Sequence, residues 1–303
     1  MPFRARFACL WCGLEHTTRT AADLEGWAHL CPACIGKAGE NNFLRARLRQ
    51  GLQDRGAAGT AVAAAAMDGA PGTSASGPAD LRAYDEARAG ESDDWYLRRG
   101  RFARGAIHDA AWNAELDMVG RWLDDIPFAG ELVELAAGTG WWSTLLASKG
   151  TLTLYETSPT ALDRARDRLM AHGLRAHLHE RDAWAEPDRQ VEGLFTAFWL
   201  SRVERDRLGD FLALALRWLK PGGRLAFLEG LPDPASGAAN EPEARDDLAV
   251  RRLDDGREWR IVKVDRRPAE YDAALRAAGF EDVAVETTGR FFVHGSARRA
   301  RGG

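Results

Sequence analysis

Apolar residues recur at helical spacing at Ile107, Ala111, Leu116, Val119 and Leu123, and they predict an amphipathic helix over residues 107–125. Residues 131–136 form a short apolar run of strand length. The pattern then alternates: helix over 141–148, strand over 152–156, helix over 159–172 closed by Gly173, strands over 175–180 and 191–200, and an amphipathic helix over 205–219. A strand over 224–229 follows the turn Lys220-Pro-Gly-Gly. Strand alternating with helix predicts an α/β domain with a mostly parallel sheet and helices on both faces. After Glu229 the rhythm breaks. Residues 230–247 read as a Pro/Gly/Asp-rich loop, 258–264 as a strand, and 268–278 as a helix with proline in its first turn. Two strands over 283–288 and 290–296 predict a terminal hairpin.

The region before residue 83 has a different texture. Residues 51–82 are rich in Ala, Gly and Ser and offer little apolar surface to bury, so they read as a flexible linker. All four cysteines of the 303-residue chain lie ahead of that linker. Cys9-Leu-Trp-Cys12 and Cys31-Pro-Ala-Cys34 are separated by 18 residues, a spacing that presents four thiolates to one tetrahedral zinc. Such a closed site is structural and supplies folding energy to a segment too short for a large core. The expected organisation is a zinc ribbon over 1–50, the linker over 51–82, a catalytic domain over 83–298 and a tail over 299–303.

Charge and hydropathy narrow the partners. Net charge is −4, with eight basic against five acidic residues in 1–55 and 33 against 40 in the remainder. A mildly basic front end on an acidic body does not favour a polyanion groove, although nucleic acid remains an option for the ribbon. No apolar stretch approaches the roughly 20 residues of a membrane span, and the N-terminus lacks an apolar signal-peptide core. The expectation is a cytoplasmic protein whose paired cysteines bind metal rather than form disulfides. Oligomeric state is not legible.

The most informative stretch is Glu134-Leu-Ala136-Ala-Gly138-Thr-Gly140-Trp141-Trp142-Ser143. A strand, a Gly-x-Gly turn and a helix suit a nucleoside-bearing ligand, but Ser143 stands where a dinucleotide fingerprint has its third glycine. Glu156 ends the next strand in Tyr155-Glu156-Thr157-Ser158. Arg181-Asp182-Ala183-Trp184 follows the third, and Lys220-Pro-Gly-Gly precedes the fifth. In order and spacing these motifs resemble the class I, Rossmann-like, S-adenosylmethionine-dependent methyltransferases over roughly residues 83–298. The resemblance implies a seven-stranded, mostly parallel, doubly wound sheet with an antiparallel last strand. It also implies S-adenosylmethionine as cofactor. Glu134, Ala136, Gly138 and Gly140 would take the amino-acid end, Glu156 and Thr157 the ribose, Asp182, Ala183 and Trp184 the adenine, and Phe198 the site's edge.

Methyl transfer needs alignment more than a base, so catalytic residues are harder to read. Candidates are Tyr96, in an aromatic and charged segment that precedes the first helix and folds over the cofactor in related enzymes; His108, whose imidazole titrates near neutrality; and Glu229, at the end of the fifth strand. Arg202 stands where relatives often carry histidine, which suggests contact with an anionic substrate, and Arg98 and Arg99 suggest carboxylate partners. The expected activity is methylation of an O or N atom of a small molecule. The alternatives are an RNA or protein methyltransferase that recruits its substrate through the ribbon, and a non-catalytic cofactor-binding module.

Overall fold

A computed structural model describes residues 78–238 and 246–301, together with two short strands, β1 (Arg6–Ala8) and β2 (Glu15–Thr17), which pair antiparallel. The chain divides into two compact units, one combining residues 1–70 with 105–117 and the other 71–104 with 118–303. Cys9, Cys12, Cys31 and Cys34 lie outside the described residues. So does most of the expected linker.

The larger unit is built on seven strands: β3 (Glu131–Leu135), β4 (Thr151–Glu156), β5 (His177–Glu180), β6 (Val191–Ala197), β7 (Leu219–Gly230), β10 (Phe280–Thr287) and β11 (Phe292–Arg299). Their order across the sheet is β10-β11-β7-β6-β3-β4-β5. β3, β4, β5, β6 and β7 run parallel, and β11 lies antiparallel between β7 and β10. This is the sheet expected, antiparallel last strand included. β3 neighbours β4 on one side and β6 on the other, so the strand order reverses there and leaves a crevice at the carboxyl ends.

The parallel strands β3, β4, β6 and β7 are largely buried on both faces, which is why they read as apolar runs, whereas the edge strand β5 is mostly exposed. Helices α4 (Ser143–Ala147), α5 (Pro159–Ala171), α6 (Leu208–Trp218) and α7 (Pro268–Ala277) connect them. Phe211, Leu212, Ala215 and Trp218 of α6 pack with Leu194, Leu225 and Phe227 in the main core. Pro159 sits in the first turn of α5, and the Ser158 hydroxyl caps that helix by accepting from the Ala161 N–H.

Three differences from the sequence reading matter. First, helix α1 (Pro78–Arg88) begins inside the segment read as linker. Proline pre-sets its first turn, and Tyr84 is fully buried. A second helix, α2 (Ser92–Leu97), follows and ends at Arg98 in the left-handed conformation, φ +52°. Second, β8 (Leu248–Arg252) pairs with β9 (Glu258–Val262) as an antiparallel hairpin beyond the sheet, and only its second strand was legible. Ala249, Leu253 and Ile261 of this hairpin bury Tyr84. Third, α3 (Ala106–Asp125) matches the expected helix and buries Trp112, Leu116, Val119 and Leu123, but Ile107 at its start is 86% exposed.

Candidate active site

A cavity of about 230 Å³ opens at the carboxyl ends of β3, β4, β6 and β7. Glu134 and Ala136–Thr139 form one part of its wall, and Glu156, Phe198 and Gly230 come from the neighbouring strand ends. Tyr84, Asp85 and Arg88 of α1, Trp95 and Tyr96 of α2, and Arg251, Ile261 and Lys263 at the outer hairpin complete it.

The turn after β3 requires left-handed backbone at three positions, Ala136 (φ +52°), Gly138 (+54°) and Gly140 (+71°). Its two glycines do different work. A Cβ on Gly138 would meet no atom within 4 Å, and its N–H donates to Glu156 Oε2 at 2.9 Å. A Cβ on Gly140 would sit 2.8 Å from the Ala165 Cβ of α5. Gly140 therefore lets a helix approach and does not line the cavity, unlike Gly138.

Two carboxyls dominate this end. Glu134 is 2% exposed and accepts from the Ser143 hydroxyl at 2.5 Å. Burial pushes its pKa up to about 8, against the opposing pull of that hydrogen bond. Glu156 accepts backbone N–H bonds from Gly138, Thr157 (2.7 Å) and Ser158 (3.0 Å). Its pKa is also raised, first by burial and then by Asp85, while the three N–H donors resist the shift. Thr157 is held by Glu156 but does not line the cavity.

Aromatic rings form the facing wall. Tyr96 stacks on Trp141 at 4.3 Å with planes only 3° apart, and Trp95 meets Phe198 edge-on at 4.9 Å. Phe198 itself adopts φ +57° as the chain leaves β6. Burial raises the Tyr96 phenol well above its ordinary value, so at neutral pH it is a proton donor and not a base.

The segment from α2 to Arg104 is fastened over the cavity. Asp93 accepts from the Thr139 hydroxyl at 2.6 Å and from Arg168 Nη2 at 2.5 Å, which ties α2 to the glycine turn and to α5. The Trp95 indole N–H donates to the Ser236 carbonyl at 2.8 Å, and Arg98 donates to the carbonyls of Ser236 and Ala235. Arg104 donates to the Pro234 and Ala238 carbonyls at 2.7 and 2.9 Å. Arg98 thus closes a loop over the site by binding backbone carbonyls.

The remaining expected residues separate from the cavity. Asp182, Ala183 and Trp184 do not line it. They follow β5, where the Arg181 N–H donates to the Glu156 carbonyl at 3.0 Å. Asp182 is exposed and accepts from the Trp184 N–H at 2.8 Å, and Ala183 is buried. Trp184 meets Phe211 edge-on and lies 4.1 Å from the Arg207 guanidinium carbon. Glu229 is fully buried behind the wall, with Oε1 accepting from the Ser201 N–H at 3.0 Å. Its place at the end of a strand suggested the substrate side, but strand alternation turns the side chain inward. His108 is exposed near the start of α3 and is not among the lining residues. Asp85, Arg88 and Asp93 were not singled out from sequence; the run of acidic and aromatic residues around Tyr84 and Trp95 was their only signal. Among the described residues no group of three or more His, Cys, Asp or Glu side chains forms a metal site, and no helix is long and apolar enough to cross a membrane.

Comparison with known proteins agrees with this geometry. Residues 132–223 match the model of a methyltransferase domain. The chain is 33% identical over 115 residues to the ubiquinone/menaquinone biosynthesis C-methyltransferase UbiE of Azotobacter vinelandii, a match covering 35% of this chain and 45% of that protein. The corresponding protein of Pseudomonas savastanoi is 32% identical over 115 residues, with 35% and 44% covered. The chain therefore spans less than half the length of the curated relatives it matches. Among solved structures, a DhpI–SAH complex superposes with a TM-score of 0.56 at 28% identity, covering 73% of this chain and 96% of that one. A DhpI–SAM–HEP complex gives 0.57 at the same identity and coverage.

Proposed function

We propose that this chain, which carries an S-adenosylmethionine-dependent methyltransferase domain, methylates an O or N atom of a small-molecule acceptor. The observation that carries the reading is one roofed cavity at the switch of strand order. The glycine turn and two buried carboxyls form one end, and a fastened helix and an outer hairpin close the other. A roofed space suits a small acceptor better than an open groove suits a polymer.

The residues present fit the cofactor. The open space beside Gly138 admits its backbone-contacting portion. Glu156, preorganised by three N–H donors, takes the ribose hydroxyls with Thr157 beside it. Glu134, held by the Ser143 hydroxyl, would face the ammonium. Asp182, Ala183 and Trp184 follow β5 beside the cavity and not in its lining, and they are the residues that the resemblance assigns to the adenine. The bound cofactor supplies a methyl group already activated by a sulfonium. The rings of Tyr96, Trp95 and Phe198 line the cavity, where they would exclude water and favour a cation. Tyr96 stays protonated. Glu229 lies behind the wall, so alignment by the chain does the work that a base would do.

The N-terminal cysteines form a separate part of the proposal. Cys9, Cys12, Cys31 and Cys34 hold one structural zinc in a ribbon over 1–50, in a cytoplasmic protein. Metal analysis of the purified chain is expected to find about one zinc per chain; a value near zero contradicts it. The basic residues in that ribbon support a second reading, recruitment of an RNA or protein acceptor. Salt-sensitive RNA binding by the full chain would favour it.

The activity is tested by supplying the full chain with S-adenosylmethionine and a panel of small alcohols, amines, acids and phenolic carbon nucleophiles, and measuring S-adenosylhomocysteine release. Acceptor-dependent release is expected. Release with RNA or protein alone would replace the small-molecule reading, and release with no acceptor tried would leave only cofactor binding.

A further inference from the structure

The wall contributed by α1, the turn after β6 and the outer hairpin is rich in cations. Arg88, Arg101, Arg202, Arg251 and Lys263 line the cavity, against the carboxyls Asp85, Glu134 and Glu156. Glu134, with a pKa of about 8, is largely neutral at pH 7. Arg101 is matched from outside the wall by Glu91 and Asp254, each at 3.0 Å, and Lys263 by Asp265 at 3.3 Å. Arg88, Arg202 and Arg251 then stand among the lining residues with the carboxylates Asp85 and Glu156, before the positive sulfonium of the cofactor is added. A desolvated site with that balance favours a ligand of negative charge.

Arg202 is the best placed of these cations. Its guanidinium carbon lies 5.3 Å from the Tyr84 ring centroid, and that of Arg88 lies 5.9 Å from the same ring. Arg88 donates to the Tyr84 hydroxyl at 3.0 Å, and Arg202 pairs with Asp85 at 2.7 Å. Two guanidiniums thus flank one buried ring. The turn that carries Arg202 is held rigidly from behind. Arg266, 4% exposed, donates to the carbonyls of Leu200 and Val203 at 2.6 Å each. The Ser201 N–H donates to Glu229, and the Val264 N–H donates to the Ser201 carbonyl at 2.7 Å. The buried Glu229 is therefore a positioning residue for this turn. Groups that act on a ligand are commonly fixed by such a second set of bonds.

We propose that the acceptor is a small oxyanion, a carboxylate or phosphate-type group on the molecule that is methylated, gripped by Arg202 together with Arg88 and Lys263. A guanidinium fork matches either oxyanion in bidentate fashion. The inference rests on the methyltransferase reading above and names the chemistry of its acceptor.

The test uses the full chain saturated with S-adenosylhomocysteine and titrated calorimetrically with benzoate, inorganic phosphate and the neutral benzamide. At least one of the two anions is expected to saturate, and which one does so separates the two sources of the oxyanion; benzamide is not. Arg202→Gln and Lys263→Met are each expected to weaken that anion by about tenfold or more, the loss typical of a charged hydrogen bond, and Arg202→Lys to recover part of it. S-adenosylhomocysteine binding by each variant reports that the pocket is folded, and Lys263→Met carries the test if Arg202→Gln fails that control. Benzamide binding as tightly as benzoate, binding of neither anion, or variants that bind the anion as the wild type does would overturn the inference. Failure of the methyltransferase reading is distinct: the wild type would then not bind S-adenosylhomocysteine.

Discussion

Glu134 holds its proton up to about pH 8 in the folded chain, against an ordinary value of 4.5. Between those values the folded state binds more protons than the unfolded state. Stability contributed by this residue therefore falls as pH rises from about 4.5 to about 8 and is level beyond. Glu134→Gln keeps an acceptor for the Ser143 hydroxyl and removes the titration. It is expected to melt at higher temperature than the wild type at pH 8, with the gap shrinking toward pH 5. A gap independent of pH would mean that Glu134 is ionised throughout. The same residue was legible in sequence as an acidic group before a glycine turn. Its hydrogen bond to Ser143 was not, because Ser143 registered only as the residue that displaced a third glycine.

At the scale of elements, one turn serves two ends. Gly138 faces the cavity and Gly140 faces α5, although both adopt positive φ. Gly138→Ala meets only the backbone strain of about 1 kcal/mol expected for alanine in that region, together with the space a ligand needs. Gly140→Ala adds a 2.8 Å clash with Ala165 that neither helix nor turn relieves by a side-chain rotation. Thermal melts and S-adenosylhomocysteine titrations are expected to separate the two, with Gly140→Ala losing more stability and Gly138→Ala losing mainly affinity. Equal stability losses would contradict the division of labour. The centre of the sheet was legible because β3, β4, β6 and β7, largely buried on both faces, leave apolar runs of a distinctive length. Helix α1 was not, because it starts at Pro78-Ala79-Asp80 directly after an Ala/Gly/Ser-rich segment. Its burial depends on Ala249, Leu253 and Ile261, more than 160 residues away in sequence. Strand β8 was missed for the same reason: Leu248–Arg252 is short, charged at two of its five positions, and defined by its pairing with β9.

In the whole molecule, the motifs that point to a cofactor fall within the carboxyl-edge region of one sheet, but they do not all face one space. Glu134, Gly138, Glu156 and Phe198 share the cavity with Tyr96, whereas Asp182 and Trp184 stand beside it and Glu229 stands behind it. Sequence order fixes which strand end bears a residue, and that much was read. Which way the side chain turns, and what crosses over the top, depends on α1, α2 and the outer hairpin, elements whose partners are remote along the chain. Of those elements, α1 and the outer hairpin bring Arg88, Arg251 and Lys263 to the cavity, while Arg202 comes from the turn after β6. In the proposed reading the cofactor is anchored on Glu156. Calorimetric titration of the full chain with S-adenosylhomocysteine probes that anchor. About one site per chain is predicted, with Glu156→Gln, which replaces one carboxylate acceptor by an amide donor, weakening binding by about ten- to a hundredfold. Absence of binding to the wild type, or equal affinity in Glu156→Gln, would contradict the account.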